Sequence, residues 1–324
     1  MNVQSLLLNR KRDNKMYVVV SSVIILFALI FLGFYIGKRR YVNKEAAPDF
    51  SSLVLNVTMP ATVFLAIVAQ QGSGLMHEGI FVIPGVALLH LLMFLIGLIG
   101  VKVMRVPDED KGNWLYTALL SNNGFMGFPL ALAIYGTRGL FMMALCNVIT
   151  NLLIFSVGIK LVTLNIKTKE KLSIRKMLLN NINIAVVIGF IFYGLKIPLP
   201  EILSDMLGYI ANITSGLSMI VVGLSLSRLP FKAVFEDKKM FVLAAIRLLI
   251  IPLATILIIK ILPFEIDKVM AGTLVLTAAL PSSAAQSMIA EQYKANTGAA
   301  ARCVFITTLF SVVTVPLVML VYGV

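Results

Sequence analysis

The chain alternates long apolar runs with short polar stretches, and ten of the runs are long enough to be helices that cross a membrane. They lie at Val18–Gly37, Ser52–Ala69, Ile80–Val101, Asn113–Tyr135, Leu140–Leu161, Ile182–Leu199, Leu203–Leu226, Met240–Leu262, Val269–Tyr293 and Ala300–Tyr322. A hydrocarbon core of about 30 Å takes about 20 apolar residues per helix, a length each run approaches. The runs are continuous, whereas a barrel strand alternates apolar and polar positions over about 10 residues, so helices are expected. The fourth and ninth runs are less uniformly apolar than the rest.

Composition agrees. Of 324 residues, 59% are hydrophobic and 13% charged, and the mean hydropathy is +0.94, values that exclude a soluble domain. The expectation is an all-α, multi-pass protein of the cell membrane, with the lipid bilayer as its surroundings. Arg10, Lys11, Arg12 and Lys15 precede the first run as they would in a signal peptide. That run is too long for one, ends in Lys38-Arg39-Arg40 and lacks a small-residue cleavage pattern, so it reads as a helix. The net charge of +13 sits in short loops between runs, which argues against nucleic acid as a partner. Cys146 and Cys303 fall inside apolar runs with no His or Asp alongside, so no disulfide, metal site or cofactor is expected.

Lys and Arg are enriched in cytoplasmic loops. The loops after spans one, three, five, seven and nine hold 19 of the 28, against 8 on the other side, four of which are in the N-terminal tail. This places both termini outside the cell and the central loop inside.

Each half of the chain then has five spans: residues 1–161, a cytoplasmic loop 162–181, and residues 182–324. Five is odd, so a repeated second half would enter the membrane inverted. Pro129 and Pro281, 152 residues apart, interrupt the fourth and ninth spans among small and polar neighbours. Matched interruptions in an inverted repeat point to the midplane binding site of a transporter.

The fourth span contains Ser121-Asn122-Asn123-Gly124-Phe125-Met126-Gly127-Phe128-Pro129. Pro129 lacks an N–H and its ring opposes the carbonyl of Phe125, so a break is expected there. The ninth contains Leu280-Pro281-Ser282-Ser283-Ala284-Ala285-Gln286. Freed backbone groups cannot face lipid, so both stretches should be buried or line a wet cavity. Asn122, Asn123, Gly127, Pro129, Pro281, Ser282, Ser283 and Gln286 are the candidate substrate-binding positions. Half-helix N-termini carry partial positive charge, which suits an anion. The plainer alternative is that kinks and small residues serve helix packing.

Other polar residues extend the set. Asn56, with Thr58, and Asn212, with Thr214, occupy corresponding places in spans two and seven, either facing the site or joining helices. Arg247 lies about 12 Å into span eight at about 1.5 Å per residue. An Arg at a helix centre costs about 2.5–3.5 kcal/mol, so it either meets a substrate carboxylate or snorkels to the surface. Arg302 is open to the same two readings. His90, inside span three, either titrates or bonds a neighbouring helix. No Asp or Glu lies deep in a span, so Glu291, near a helix end, is the candidate for proton coupling.

The interrupted spans resemble those of the auxin efflux carrier family, which includes plant auxin exporters and bacterial organic-acid carriers. Asn122 through Gly127, Pro129 and Leu130, followed by Tyr135-Gly136, is similar to its Asn-x-x-x-x-Gly-x-Pro-Leu pattern. Leu280-Pro281, with Ala290-Glu291-Gln292-Tyr293 beyond, resembles its Leu-Pro and Ala-x-x-Tyr. The likeness covers nearly the whole chain. It implies that spans four and nine cross, with Asn122 and Pro129 at one arm and Pro281 at the other. It also implies a mobile transport unit and a scaffold of spans one, two, six and seven, through which a homodimer is conceivable. Ser282-Ser283 departs from the plant members, and the central loop is short, as in bacterial-type carriers.

The function expected is alternating-access transport of a small organic anion, a mono- or dicarboxylate such as malate or malonate or an auxin-like weak acid. The alternative is a sodium-coupled symporter of the bile-acid type, with Asn123, Ser283 and Gln286 as neutral ion ligands. An enzyme is not expected: two His and no Ser, His and Asp arrangement within the spans leave no catalytic constellation.

Overall fold

The computed structural model describes residues 21, 24–43, 46–73, 75–164, 180–227, 237–263 and 266–323. The basic N-terminal tail and most of the central loop expected at 162–181 lie outside these residues. Each apolar run is helical over most of its described length. The elements are α1 (Ile24–Lys38), α2 (Ala46–Leu53 continuing through Val54–Thr58 and Met59–Val68), α3 (Leu75–Val103), α4 (Asp108–Leu119) and α5 (Asn123–Val162). There follow α6 (Asn181–Leu195), α7 (Glu201–Ser227), α8 (Lys238–Ile261), α9 (Lys268–Ala279), α10 (Ala285–Gln292) and α11 (Thr297–Tyr322). Six helices are long and apolar enough to cross a membrane, on α2, α3, α5, α7, α8 and α11, while α1, α6 and α9 are shorter and apolar. Large apolar side chains such as Leu88, Ile99, Val187 and Leu257 face outward, as a lipid-facing surface requires.

Two bundles are formed. In one, α2 packs against α6 and α7. Here α1 meets α7 backbone to backbone: a Cβ on Gly33 would strike the carbonyl of Ile220, and one on Gly223 the carbonyl of Ile30. Contact this close needs glycine on both helices and lets dispersion act where no hydrophobic drive exists between helices in lipid. The second bundle holds α3, α4, α5, α8, α9, α10 and α11.

Three helices contain a single wide π turn just before a proline. Met59 N–H reaches back to Val54, Phe128 to Asn123 and Ile251 to Ile246, five residues in each case, and Pro60, Pro129 and Pro252 come next. The wider turn makes room for the ring against the carbonyl four residues earlier. A fourth π turn, Ile154–Gly158, precedes no proline.

Pro129 therefore does not break its helix, contrary to expectation. It sits at the start of the regular part of α5, and the break lies upstream, at the extended residue Leu120 (φ −115°, ψ 116°). A second break falls at Gly136, whose φ of 65° and ψ of −157° suit only glycine, and there α5 turns back without a loop. Arg138 just beyond it pairs with Asp267 at 3.1 Å, and Asp267 also caps α9 by accepting from Val269 and Met270 N–H, each at 3.0 Å. That pair ties the corner of α5 to the start of α9.

Four helices end on a basic residue in the left-handed region: Arg40, Arg105, Lys196 and Lys294. In each, the next N–H reaches the carbonyl five residues back: Tyr41 to Ile36, Val106 to Val101, Ile197 to Phe192 and Ala295 to Ala290. This closes the last turn, and the cation complements the negative end of the helix.

Candidate functional site

The ends of α4 and α9 stop inside the protein, and the extended segments that continue them meet. Leu120 and Leu280 are both extended at the helix ends. Asn122 N–H donates to Pro281 O at 3.0 Å and Ser283 N–H to Leu120 O at 2.9 Å, so Ser121 and Ser282 lie side by side in a short antiparallel bridge. Backbone groups freed by the two breaks satisfy one another, as they must away from water. The partners are 161 residues apart, Ser121 to Ser282, and not Pro129 to Pro281.

The side chains around the crossing divide into those already engaged and those left open. Gln286 is fully buried and saturated: its amide donates to Asn113 O (3.0 Å) and Oδ1 (3.1 Å), and its oxygen accepts from Thr117 (3.1 Å) and Ser282 (2.8 Å). Ser282 N–H also donates to Thr307 Oγ1 at 3.2 Å, and Ser283 Oγ accepts from Ala285 N–H at 3.3 Å to cap α10. Asn123 donates to Thr150 Oγ1 at 2.8 Å, which lies 3.2 Å from His90 Nε2, while His90 Nδ1 meets Val86 O at 2.7 Å. With Nδ1–H donating to that carbonyl, Nε2 is an acceptor facing Thr150, whose single hydroxyl proton is shared between Nε2 and Cys146 O at 3.0 Å, so His90 joins α3 to α5 as a hydrogen-bonded core residue. Gly127 packs where a Cβ would crowd Leu280 and Met143, bringing α5 close to the other arm.

Asn122 is open. Its side-chain amide has no hydrogen-bond partner among the described residues and lines a cavity of about 540 Å3. One wall comes from the first bundle, with Ser52, Leu55 and Asn56 of α2 and Val222 and Ser225 of α7. The other comes from the second, with Phe125, Ala284, Ser287 of α10 and Thr308 of α11. The walls contain no charged side chain among the described residues. The neutral polar groups are Ser51, Ser52, Asn56, Asn122, Ser225, Ser287 and Thr308.

The remaining candidates scatter. Asn56 reaches the cavity wall and bonds Ser52 (3.0 Å), while Asn181 of α6 donates to it at 3.1 Å. Asn212 is exposed on α7 and absent from the cavity wall; the contact between α2 and α7 is made by Thr62 and Thr214 instead. Pro129 and Pro281 are buried backbone determinants. Arg247 is fully buried, so it does not snorkel: it reaches Ser121 Oγ (2.6 Å) and the carbonyls of Ala278 (2.7 Å) and Thr277 (3.4 Å). Arg302 is half-buried on α11, near enough to Asp110 to act on its charge, and does not line the cavity. The Glu291 side chain lies outside the described residues. Ser121, Thr150, Ser287 and Thr308 are absent from the sequence-derived candidates; Ser121 alone carries a signal, by preceding Asn122 in the polar run.

The model of a family described as membrane transport protein matches residues 18–319. The chain belongs to that family, the one its crossing motifs resemble. Among members of this membrane transport protein family, it is similar to an uncharacterized transporter of Methanocaldococcus jannaschii, 28% identical over 305 residues covering 91% of this chain and 96% of the relative. It is similar also to a Rhizobium meliloti protein whose given name proposes malonate as its substrate, at 24% identity, with 92% and 93% covered. An uncharacterized transporter of Escherichia coli is 23% identical, with 92% and 96% covered. The chain is thus a multi-pass membrane transporter, a class whose partners are the bilayer and a small-molecule substrate.

Proposed function

We propose that this transporter moves a small organic anion across the cell membrane by alternating access, the two bundles shifting against each other around the crossing. The observation that carries the reading is the cavity between the bundles, which ends on the unengaged amide of Asn122. Neutral donors and the starts of α5 and α10 stabilise an anion without trapping it, whereas a fixed cation in the wall would slow release. The name of the Rhizobium relative makes malonate, with malate beside it, the first substrate to try.

In this reading the ten spans form two inverted five-helix repeats, 1–161 and 182–324, joined by the cytoplasmic loop 162–181. The order supports it: a helix, a second that contacts its counterpart, a third, a broken fourth and a fifth occur in each half. The cavity is lined near the start of α2 (Pro48, Ser51), the end of α7 (Ser225, Leu226) and the start of α11 (Ala301), helix ends that in sequence adjoin the loops carrying Lys38, Arg39, Arg40 and Lys294, the more basic side. By the excess of Lys and Arg in cytoplasmic loops, this is an inward-facing state with both termini outside. A homodimer would form through the first bundle, α1, α2, α6 and α7, leaving the second bundle free to move.

Uptake of labelled malonate and malate into vesicles containing the purified protein tests the proposal. Uptake that Asn122→Ala abolishes, and that is unchanged when choline replaces sodium, is expected. Transport that survives Asn122→Ala sinks the site assignment, and strict sodium dependence favours the bile-acid-type symporter. Against that second reading, the Gln286 oxygen it would use as an ion ligand already accepts two hydrogen bonds; Asn123 Oδ1, buried without a partner among the described residues, is the ligand atom that reading would rest on.

A further inference from the structure

Among the described residues Arg247 is the one Lys, Arg, Asp or Glu side chain that is buried, and no described carboxylate pairs with it. Its partners are the last carbonyls of α9, Thr277 and Ala278, and Ser121 from the opposite arm. Ser121 itself donates to Thr277 O at 2.7 Å, so guanidinium, hydroxyl and carbonyl close one knot between the two arms. The next residue, Asn122, lines the cavity.

α9 ends at Ala279 inside the protein, where Thr277, Ala278 and Ala279 are buried and the extended Leu280 follows in place of a turn. Such an end carries about half a negative charge. In transporters with broken helices, C-terminal half-helix ends and unwound carbonyls are the places that hold a coupling cation. Here a guanidinium anchored on α8 has taken those carbonyls. The wide turn Ile246–Ile250 carries Arg247, placing it on the inner face of α8.

We propose that Arg247 is the fixed cation of the crossing: it stands where a coupling ion would otherwise be held and keeps the crossing in shape without sodium. The inference rests on reading the crossing as the transport site, but its test needs no transport. The melting midpoint of the purified full chain in detergent is measured in choline chloride, in sodium chloride and in millimolar guanidinium chloride. Wild type is expected to melt at the same temperature in all three at matched ionic strength. Arg247→Ala is expected to melt lower by roughly 5 °C or more in choline, and to regain at least half of that loss in guanidinium or sodium. Arg247→Lys, which keeps a cation, is expected to fall between the two.

An Arg247→Ala protein as stable as wild type overturns the proposal, as does one that is destabilised equally in every cation. If Arg247→Ala yields no folded protein, Arg247→Lys decides: a folded, sodium-indifferent variant upholds the proposal and an unfolded one overturns it. Absence of carboxylate transport would fault the proposed substrate and leave these midpoints untouched.

Discussion

The hydroxyls of Thr62 on α2 and Thr214 on α7 lie 2.8 Å apart, both buried, and form a polar contact between two apolar helices. Thr62 also touches Thr58 O at 2.8 Å and Ala211 O at 3.5 Å, so the pair sits within a small polar seam. Interhelical bonds of this kind in lipid average about 0.6 kcal/mol. A cycle of Thr62→Val, Thr214→Val and the double variant, followed by unfolding in detergent, should give a coupling energy near that value. Strictly additive losses would show that the contact contributes nothing beyond packing.

Asn122 and Gln286, both candidates on sequence, should separate in experiment. Asn122→Ala removes an amide without a partner among the described residues and should change stability by no more than roughly 0.5 kcal/mol while abolishing uptake. Gln286→Ala removes the partner of Asn113 Oδ1 and Ser282 Oγ, while Thr117 keeps its bond to Asn113 O, and should cost roughly 2 kcal/mol. Paired melting and uptake measurements distinguish them; equal stability losses would contradict the assignment.

Gly136→Ala puts a Cβ on a residue held at φ 65°, ψ −157°. Strain there is of order 1–3 kcal/mol, and the turn between the two parts of α5 should loosen. A lower melting midpoint is the expected outcome, and no change would mean that the corner relaxes freely.

Lys196, in the left-handed region with φ 52°, ends α6. Lys196→Gly should stabilise the protein by roughly 1 kcal/mol, since a side chain in that region costs about that much. A fall in stability would show that the cation's attraction to the helix end outweighs the strain.

Much of the fold was legible because lipid imposes one simple rule, and apolar length reveals it. The crossing was legible only in outline. Pro281 does lie at a break, but Pro129 does not, because a one-residue widening of the helix absorbs its ring and the chain breaks instead at Leu120. Depth alone suggested that Arg247 would snorkel; the end of α9 that holds it comes from 30 residues further on, beyond local pattern. Gln286 looked like a ligand residue because amides bind ligands, yet its neighbours consume all its bonds. Thr308 and Ser287 had no local signal, since nothing in a polar residue's immediate neighbours reveals which bundle it will face.

The wide turns inside α2 and α8 amount to one surplus residue apiece, lodged in the helix without rotating the turns beyond it. Counting by an unbroken period through them misassigns every later face by about 100°. Removing one residue from such a turn would return the helix to ordinary geometry with its faces still aligned. The same deletion elsewhere in these helices would swing their lipid-facing side chains into the protein.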